Sequence, residues 1–341
     1  MSHANISRLK KILLRLFVTV AAIVLLIYIA FRVSPWPAAL LIRSAFNKDA
    51  KRVSAALEKH LPSGVSAILH QQYLPGDKDA FLDVYYPSTL EQTDSLLPTI
   101  VWIHGGGWIS GNKEQVGNYC RILASKGYTV AAIDYSIAPE KKYPLPVLQT
   151  NAALGYLTRH HQRFHINPAC LLLAGDSGGS HIAAQVAAAL ADSSYATLIG
   201  VQPAIERRQL QGLLLYCGPY SIDGVNLEGA FGNFLRTVLW SYSGSKDFSK
   251  NTEFTTASVI SYVNENFPAA FISVGNGDPL ATQSYALAEK LGRLGVYTDT
   301  LFFAADYLPA LPHEYQFNLD TDAGQLALSR SIQFLNRLKE Q

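Results

Sequence analysis

The sequence predicts an α/β protein with a mostly parallel sheet that helices cover on both faces. Short, continuous apolar runs alternate with helical segments along most of the chain, which is typical of strands buried on both faces. The chain has 341 residues, of which 49% are hydrophobic, so it can bury a large core and does not resemble a disordered protein. Parallel sheets bind ligands at the carboxyl ends of their strands, and we look for functional residues there.

The apolar runs after residue 64 set the predicted order of elements. The predicted strands are Ala80–Pro87, Thr99–His104, Tyr128–Tyr135, Cys170–Ala174, Leu213–Cys217, Ala269–Val274 and Thr300–Phe303. The predicted helices span about 178–191, 282–294 and 323–339. A long connection at about 219–267 interrupts this alternation and is rich in aromatic residues. Connections of this length inside a compact domain tend to be lids or binding insertions, so we predict a cap there.

An apolar segment near the N-terminus predicts a membrane anchor with a helix at about 12–31. Leu16–Phe31 carries no charged residue, and about 20 apolar residues span a bilayer. A cleaved signal peptide and a buried core helix are the alternatives, although Arg32–Pro37 makes a poor cleavage site. A slight excess of basic residues before the segment favours a cytoplasmic N-terminus and a domain on the other side of the membrane.

These segments divide the chain into three predicted parts. Residues 1–34 form the membrane anchor, 35–64 form a linker or cap helix, and 65–341 form the α/β domain with its insertion. The spacing of leucine and alanine in 35–64 suits a short amphipathic helix.

The composition excludes several classes of function. The 28 basic and 26 acidic residues leave a net charge of +2, which gives no reason to expect a nucleic-acid partner. The three cysteines, Cys120, Cys170 and Cys217, are too few and too scattered for a disulfide framework. The chain has no C-x-x-C motif, so we expect no structural metal site.

A G-x-S-x-G pattern occurs at Gly175–Gly179, with Ser177 at its centre. The pattern is weak evidence alone, but an apolar strand leads into it and an alanine-rich helix follows it. That strand–turn–helix context is the one that a nucleophile elbow requires. The flanking glycines permit the tight turn that exposes a serine hydroxyl. The alternative is a glycine- and serine-rich turn that caps a helix.

A second glycine-rich motif, His104-Gly105-Gly106-Gly107-Trp108, follows a predicted strand. Consecutive glycines expose backbone N–H groups, which can stabilise the oxyanion of a tetrahedral intermediate. A phosphate-binding loop is an alternative, but the G-K-[ST] ending of such loops is missing. A plain glycine-rich turn is the other alternative.

A nucleophilic serine needs a base and an acid, which follow it along the chain in the order acid then histidine in this type of fold. Of the nine histidines, only His313 lies beyond His181, so it is the candidate base. Asp278 follows a predicted strand in the segment GNGDPL and is the candidate acid. The rival acids are Asp299, Asp306 and Glu314.

Taken together, these motifs resemble the hormone-sensitive-lipase-like branch of the α/β-hydrolases. HGGGW, DYSIAPE at Asp134–Glu140, GDSGG, GDPL and a late PHEY occur in the order of that family, and the resemblance covers about residues 65–341. It implies hydrolysis of carboxylic esters by a serine nucleophile without a cofactor or a metal. The substrate would be a small-molecule or lipid ester; nothing in the sequence indicates an oligomeric state.

The resemblance also implies roles for individual residues. Ser177 would be the nucleophile, Asp278 the acid and His313 the base. The backbone N–H groups of the oxyanion hole would come from Gly106, Gly107 and Gly178, and His104 would support the loop as a structural residue.

The chain departs from the family pattern in three places. Gly178 stands where alanine is frequent, which we expect to be tolerated because only the N–H is used. Ser136 stands where an arginine is usual, so a local salt bridge is expected to be missing. The cap of the family is often N-terminal, and here that region adjoins the predicted membrane helix.

Two alternatives to an esterase remain at this point. One is a membrane-tethered receptor or scaffold that has the same fold and no catalytic activity. The other keeps the catalytic residues but cleaves an amide, a peptide or an arylformamide, because the fold and the residues do not fix the substrate.

Overall fold

The computed structural model describes residues 3–223 and 225–339. Met1 and Ser2 of the predicted anchor, Gly224 of the predicted insertion, and the last two residues of the predicted domain lie outside the described residues. The described residues form one sheet of eight strands in the order β1-β2-β4-β3-β5-β6-β7-β8. The strands are β1 (Val65–Gln72), β2 (Phe81–Pro87), β3 (Leu97–Ile103), β4 (Thr129–Ile133), β5 (Ile166–Asp176), β6 (Leu210–Tyr216), β7 (Ala269–Val274) and β8 (Thr298–Phe302).

Helices connect most of these strands. They are α1 (His3–Val33), α2 (Trp36–Leu57), α3 (Lys113–Ala124), α4 (Leu145–Arg159), α5 (Ser177–Ala191), α6 (Ser193–Leu198), α7 (Gly229–Ser243), α8 (Thr252–Thr255), α9 (Ala281–Arg293) and α10 (Asp322–Lys339).

The predicted fold class is confirmed. Strands β3 to β8 pair with one another in parallel, whereas β1 pairs with β2, and β2 with β4, in antiparallel orientation. The sequence analysis did not predict β1. Its side chains are half-buried or exposed because it is an edge strand, so it lacks the continuous apolar run that marks the central strands.

Two hydrophobic clusters lie on opposite faces of the sheet. Successive residues of β3 alternate between them: Val101 packs in the cluster with α4, α5 and α9, whereas Trp102 packs in the cluster with α3 and α10. This alternation follows from the two-residue period of a strand. Because both faces of the sheet are covered, the sequences of the central strands are unbroken apolar runs.

Helix α1 contains the apolar segment. Among the residues that the structure describes, one helix is long and apolar enough to cross a membrane: Lys10–Val33 has 24 residues, a mean hydropathy of 2.8 and no burial against the rest of the protein. The helix begins before the predicted 12–31 range.

Helix α2 is longer than the short amphipathic helix that the sequence predicted, because it packs against both α3 and α7. Arg43 fastens it to the domain. Its guanidinium donates to the carbonyl oxygens of Ile109 (2.6 Å) and Ala138 (2.8 Å) and pairs with Glu140 at 2.6 Å. Helix α7, from the long connection, meets α2 through Phe46 and Phe234, whose ring centroids lie 5.5 Å apart. These two helices therefore cover the same end of the domain.

Candidate active site

Ser177 is the first residue of α5 and directly follows β5. Its φ of +50° lies in the left-handed region, which is strained for a residue other than glycine. The turn needs glycine on both sides. A Cβ at Gly175 would lie 2.6 Å from the carbonyl carbon of Gly179, and a Cβ at Gly179 would overlap the carbonyl oxygen of Ile103. Close packing of helix against strand therefore forces the serine into a sharp turn that lines a cavity.

The glycine-rich loop after β3 lies beside Ser177. Gly106 has a φ of +104° and Gly107 a φ of +59°, which glycine adopts without strain. The carbonyl of Gly106 accepts hydrogen bonds from Ile109 (3.2 Å) and Ser110 (3.1 Å), so the loop closes on itself. Gly178 belongs to the first turn of α5, where backbone N–H groups have no partner within the helix. The N–H groups of Gly106, Gly107 and Gly178 are the predicted donors of the oxyanion hole, and we refer to them as the oxyanion donors.

His104 is buried below this loop. Its ring stacks on Tyr135 with centroids 4.3 Å apart, and its Nδ1 lies 2.8 Å from the carbonyl oxygen of Gly105. Burial lowers the pKa of His104 to about 4, so the ring is neutral near pH 7. These contacts suit a residue that supports the loop.

His313 and Asp278 form a close pair. The imidazole Nδ1 lies 2.7 Å from Asp278 Oδ2, and the Leu280 N–H donates to the other carboxylate oxygen at 2.7 Å. The Asp278 side chain is fully buried, whereas a third of the His313 side chain is exposed. Burial opposes the charged imidazolium, but Cys217, the Asp278 carboxylate that accepts its hydrogen bond, and Glu314 together raise the pKa of His313 well above its ordinary value.

The three rival acids lie elsewhere or bond differently. Asp299 lies within β8 and pairs with Arg330 at 2.6 Å, and Asp306 is exposed in a loop. Glu314 lies near the other ring nitrogen, with Oε1 3.7 Å from His313 Nε2. Of the four acids, Asp278 is the one that forms a hydrogen bond with Nδ1 of His313.

Ser177, His313 and the oxyanion donors open on one cavity of about 410 Å³. Among the described residues, no hydrogen bond joins Ser177 to His313, and catalytic hydrogen bonds of this kind often tighten only in the complex with substrate. The cavity walls are mostly apolar. Helices α2 and α7 supply a large part of them, with the side chains Phe46, Ala50, Val53, Phe231, Phe234, Leu235 and Val238.

The sequence analysis did not identify the part of the wall that α2 supplies. It also missed Cys217, which follows β6 with a φ of +44°. Among the described residues, Cys217, Asp278 and His313 form a group whose possible metal-binding atoms all lie within 4.8 Å of one another. The 2.7 Å bond between Asp278 and His313 already engages two of these atoms with each other. Burial raises the pKa of the Cys217 thiol to about 11, so it is protonated near pH 7.

The departures from the family motif have visible consequences. A local salt bridge was expected to be missing at Ser136. Its hydroxyl instead makes two hydrogen bonds: it donates to Asp79 at 2.9 Å and accepts from Gln149 at 2.8 Å. A Cβ at Gly178 would lie 3.2 Å from the Trp108 nitrogen, a tight but not prohibitive distance.

Comparison with known proteins identifies the family. A protein-family model described as BD-FAE matches residues 82–291, which is more than half of the chain. The chain belongs to the BD-FAE family. Together with the sheet topology and the similar proteins below, this match confirms the predicted relationship to the hormone-sensitive-lipase-like α/β-hydrolases.

Curated relatives and solved structures of other proteins are also similar to this BD-FAE protein. The acetyl esterase of Salmonella choleraesuis is 29% identical over 222 residues, covering 62% of this chain and 64% of that protein. The chain thus spans under two thirds of the length of such curated relatives. Esterase B from Lactobacillus rhamnosis superposes with a TM-score of 0.74 and 24% identity, covering 89% of this chain and 97% of that one. An esterase from Pyrobaculum calidifontis gives a TM-score of 0.69 and 22% identity, over 88% and 94% of the two chains. At these identities the two structures show the fold alone.

Proposed function

We propose that this protein is a membrane-anchored serine hydrolase that cleaves carboxylic esters. One observation carries the proposal: a serine in a strained turn, a histidine paired with a buried carboxylate, and three backbone donors open on the same apolar cavity. The acetyl esterases among its relatives support an ester as the substrate.

In the proposed reaction, His313 Nε2 takes the proton of the Ser177 hydroxyl while its oxygen attacks the ester carbonyl. The oxyanion donors stabilise the negative charge on the carbonyl oxygen, and each such donor contributes roughly 3–4 kcal/mol in a comparable protease. His313 then gives the proton to the departing alcohol, which leaves an acyl-enzyme. A water molecule, deprotonated by His313, attacks the acyl group and releases the acid.

Asp278 holds the imidazole in the required tautomer, with the proton on Nδ1 and the lone pair on Nε2. It also stabilises the imidazolium that forms in each half of the reaction. Every step uses side chains, backbone groups or water, so the proposed reaction requires no cofactor.

The cavity supports a small ester with an apolar acyl or alcohol group. Its walls are mostly aromatic and aliphatic, as in most small-molecule sites, and most of its polar groups lie near Ser177, His313 and the glycine-rich loop.

Helix α1 would hold the protein in the membrane, with the N-terminus on the cytoplasmic side and the catalytic domain on the other. The support is its length, its mean hydropathy of 2.8 and its lack of burial.

Replacement of the nucleophile tests the proposal. Ser177→Ala should abolish turnover of a short-chain p-nitrophenyl ester and labelling by a fluorophosphonate probe, while the thermal unfolding midpoint stays near that of the unchanged protein. Ser193→Ala changes an exposed serine on α6 and is the matched control, which should keep both activities. Full turnover by Ser177→Ala would rule out this nucleophile. A chain that neither turns over esters nor reacts with the probe would instead favour a non-catalytic scaffold.

A further inference from the structure

The residues next to Ser177 and His313 in the chain also meet each other. Asp176 precedes the serine and Glu314 follows the histidine, and a carboxyl oxygen of each lies next to the other above Gly105. A Cβ at Gly105 would overlap Asp176 Oδ2 and lie 2.8 Å from Glu314 Oε1, so the missing side chain of this glycine makes room for the pair.

Two carboxyl groups can form a hydrogen bond only if one of them carries a proton. Asp176 is 3% exposed, and its oxygens accept from Trp102 Nε1 and from the Gly105 N–H, both at 2.8 Å. The Glu314 side chain is 34% exposed. The buried partner is therefore the better place for the proton and the more exposed partner the better place for the charge. Burial, followed by the nearby Glu314, raises the pKa of Asp176 well above its ordinary value.

We propose that Asp176 and Glu314 share one proton, and that the resulting hydrogen bond is a clamp that holds Ser177 and His313 at their working distance. The clamp rests on the proposed function, since it positions the groups that the function uses. Glu314 and Asp176 are positioning residues, because they act through their neighbours and not on the substrate.

The backbone conformations of Ser177 and Glu314 explain why a contact between their two turns is useful. Glu314 has a φ of +59° and Ser177 a φ of +50°, so both turns are held in strained conformations by contacts outside the backbone. His313 lies in an irregular segment between β8 and α10, where Asp278 fixes its Nδ1 side. The clamp adds a second attachment on the opposite side. Through the Gly105 N–H it also joins the glycine-rich loop to both turns.

The charge on Glu314 has a further effect. Its Oε1 lies 3.7 Å from His313 Nε2, the atom that receives the serine proton. A negative charge at that distance stabilises the imidazolium that forms as Ser177 attacks. The other titratable groups that face the pair are the Cys120 thiol of α3, the Tyr135 hydroxyl and the Cys217 thiol.

Three variants of the full-length protein in detergent micelles test the clamp by steady-state turnover of p-nitrophenyl acetate. Glu314→Ala removes the hydrogen bond and should lower kcat by about 10²-fold with KM nearly unchanged, the effect of a small misplacement of reacting groups. Glu314→Gln can still hydrogen-bond with Asp176 but lacks the charge beside His313 Nε2, so its kcat at pH 7 should fall less than that of Glu314→Ala. Asp306→Ala removes an exposed carboxylate from the same loop and should have no effect.

The pH dependence separates the shared proton from a merely structural contact. The unchanged enzyme should lose kcat at alkaline pH as the shared proton leaves and two carboxylates repel. Glu314→Gln should lack this alkaline loss, because its amide leaves no second carboxylate to repel Asp176. The clamp is overturned if Glu314→Ala keeps full kcat, if Glu314→Gln is as impaired as Glu314→Ala, or if both enzymes lose kcat at the same alkaline pH.

Thermal unfolding gives a test that does not depend on catalysis. The folded protein holds a proton on the pair that the unfolded chain releases above the ordinary carboxyl pKa, so this pair makes stability fall as pH rises. The Tm of the unchanged protein should therefore fall relative to that of Glu314→Gln between pH 5 and pH 9. A constant difference would overturn the clamp even in a protein that cleaves no ester. If the unchanged protein cleaves no ester but the expected Tm difference is found, the result would instead reject the proposed function and leave the clamp standing.

Discussion

At the scale of single residues, the strain at Ser177 is compensated by its neighbours. A left-handed φ at a residue other than glycine costs about 1–3 kcal/mol. The two glycines of the motif let α5 pack tightly against β3 and β5, and this packing leaves the serine no other conformation. His313 also depends on a neighbour, because the buried carboxylate of Asp278 helps to orient its ring.

Replacement of Gly179 tests the close packing. Gly179→Ala should lower the free energy of unfolding by several kcal/mol, or prevent folding, because its Cβ would overlap the carbonyl oxygen of Ile103. Gly292→Ala is the control: it lies in α9 with nothing within 4 Å of the new Cβ, and should raise stability by about 0.5–1 kcal/mol. Thermal and urea unfolding measure both. A stable, active Gly179→Ala protein would contradict the account of the turn.

Replacement of Asp278 tests the role of the acid. Asp278→Asn should lower kcat by about 10⁴-fold, as the equivalent change does in a serine protease, because the amide stabilises the wrong tautomer. The acid side of the pH profile should also move to lower pH. Asp278 is one of the groups that raise the pKa of His313, so without its charge the imidazole loses its proton at lower pH. The profile of kcat/KM against pH measures this, and an unmoved acid side would count against the assignment.

At the scale of elements, two helices that belong to different parts of the sequence form the cavity wall. Helix α2 follows the apolar segment, and α7 lies within the long connection. Their contact through Phe46 and Phe234 closes the cavity above the glycine-rich loop, where a Cβ at Gly107 would lie 3.6 Å from the Phe234 ring. The wall therefore limits the volume that is available next to Ser177.

Shortening a wall side chain should change chain-length preference. Phe234→Ala should raise the kcat/KM of p-nitrophenyl hexanoate relative to the acetate by about 10-fold, since one or more methylenes gain a place in an apolar pocket. Leu326→Ala on α10 removes an exposed apolar side chain outside the cavity wall and should leave the ratio unchanged. An unchanged ratio in Phe234→Ala would exclude this wall as the acyl pocket.

At the scale of the whole molecule, the N-terminal region has two separate roles. Helix α1 lies outside the packed body, whereas α2 is fastened to it through Arg43 and forms part of the cavity wall. Ser34 and Pro35 separate the two helices, so the change from an exposed to a packed helix occurs within two residues.

Two truncations separate these roles. Removal of residues 1–34 should move the protein from the membrane to the soluble fraction and keep turnover of a soluble short-chain ester. Removal of residues 1–58 should also lose α2, which exposes the cavity and leaves the partners of Arg43 unpaired, so turnover and Tm should both fall. Fractionation, turnover and thermal unfolding measure these effects. Membrane retention of the shorter truncation would show that α1 is not the anchor.

The central part of the fold could be predicted because its strands are buried on both faces. β5 and β7 stood out as apolar runs, whereas β1 did not, since an edge strand has no second covered face. Helices α3 and α4 were not identified. Asn112 at the start of α3 accepts from the Gln115 N–H, a capping pattern that was visible in the sequence and could have located that helix.

The sequence by itself determined the α/β class, the N-terminal apolar segment and the candidate residues Ser177, Asp278 and His313, because each depends on local pattern, motif or chain order. Only the tertiary structure decided what surrounds them. The pairing of Asp278 with His313, the wall built by α2 and α7, and the contact between Asp176 and Glu314 join residues far apart in the chain. Such contacts depend on how the elements pack, and packing distances are not encoded in any local pattern.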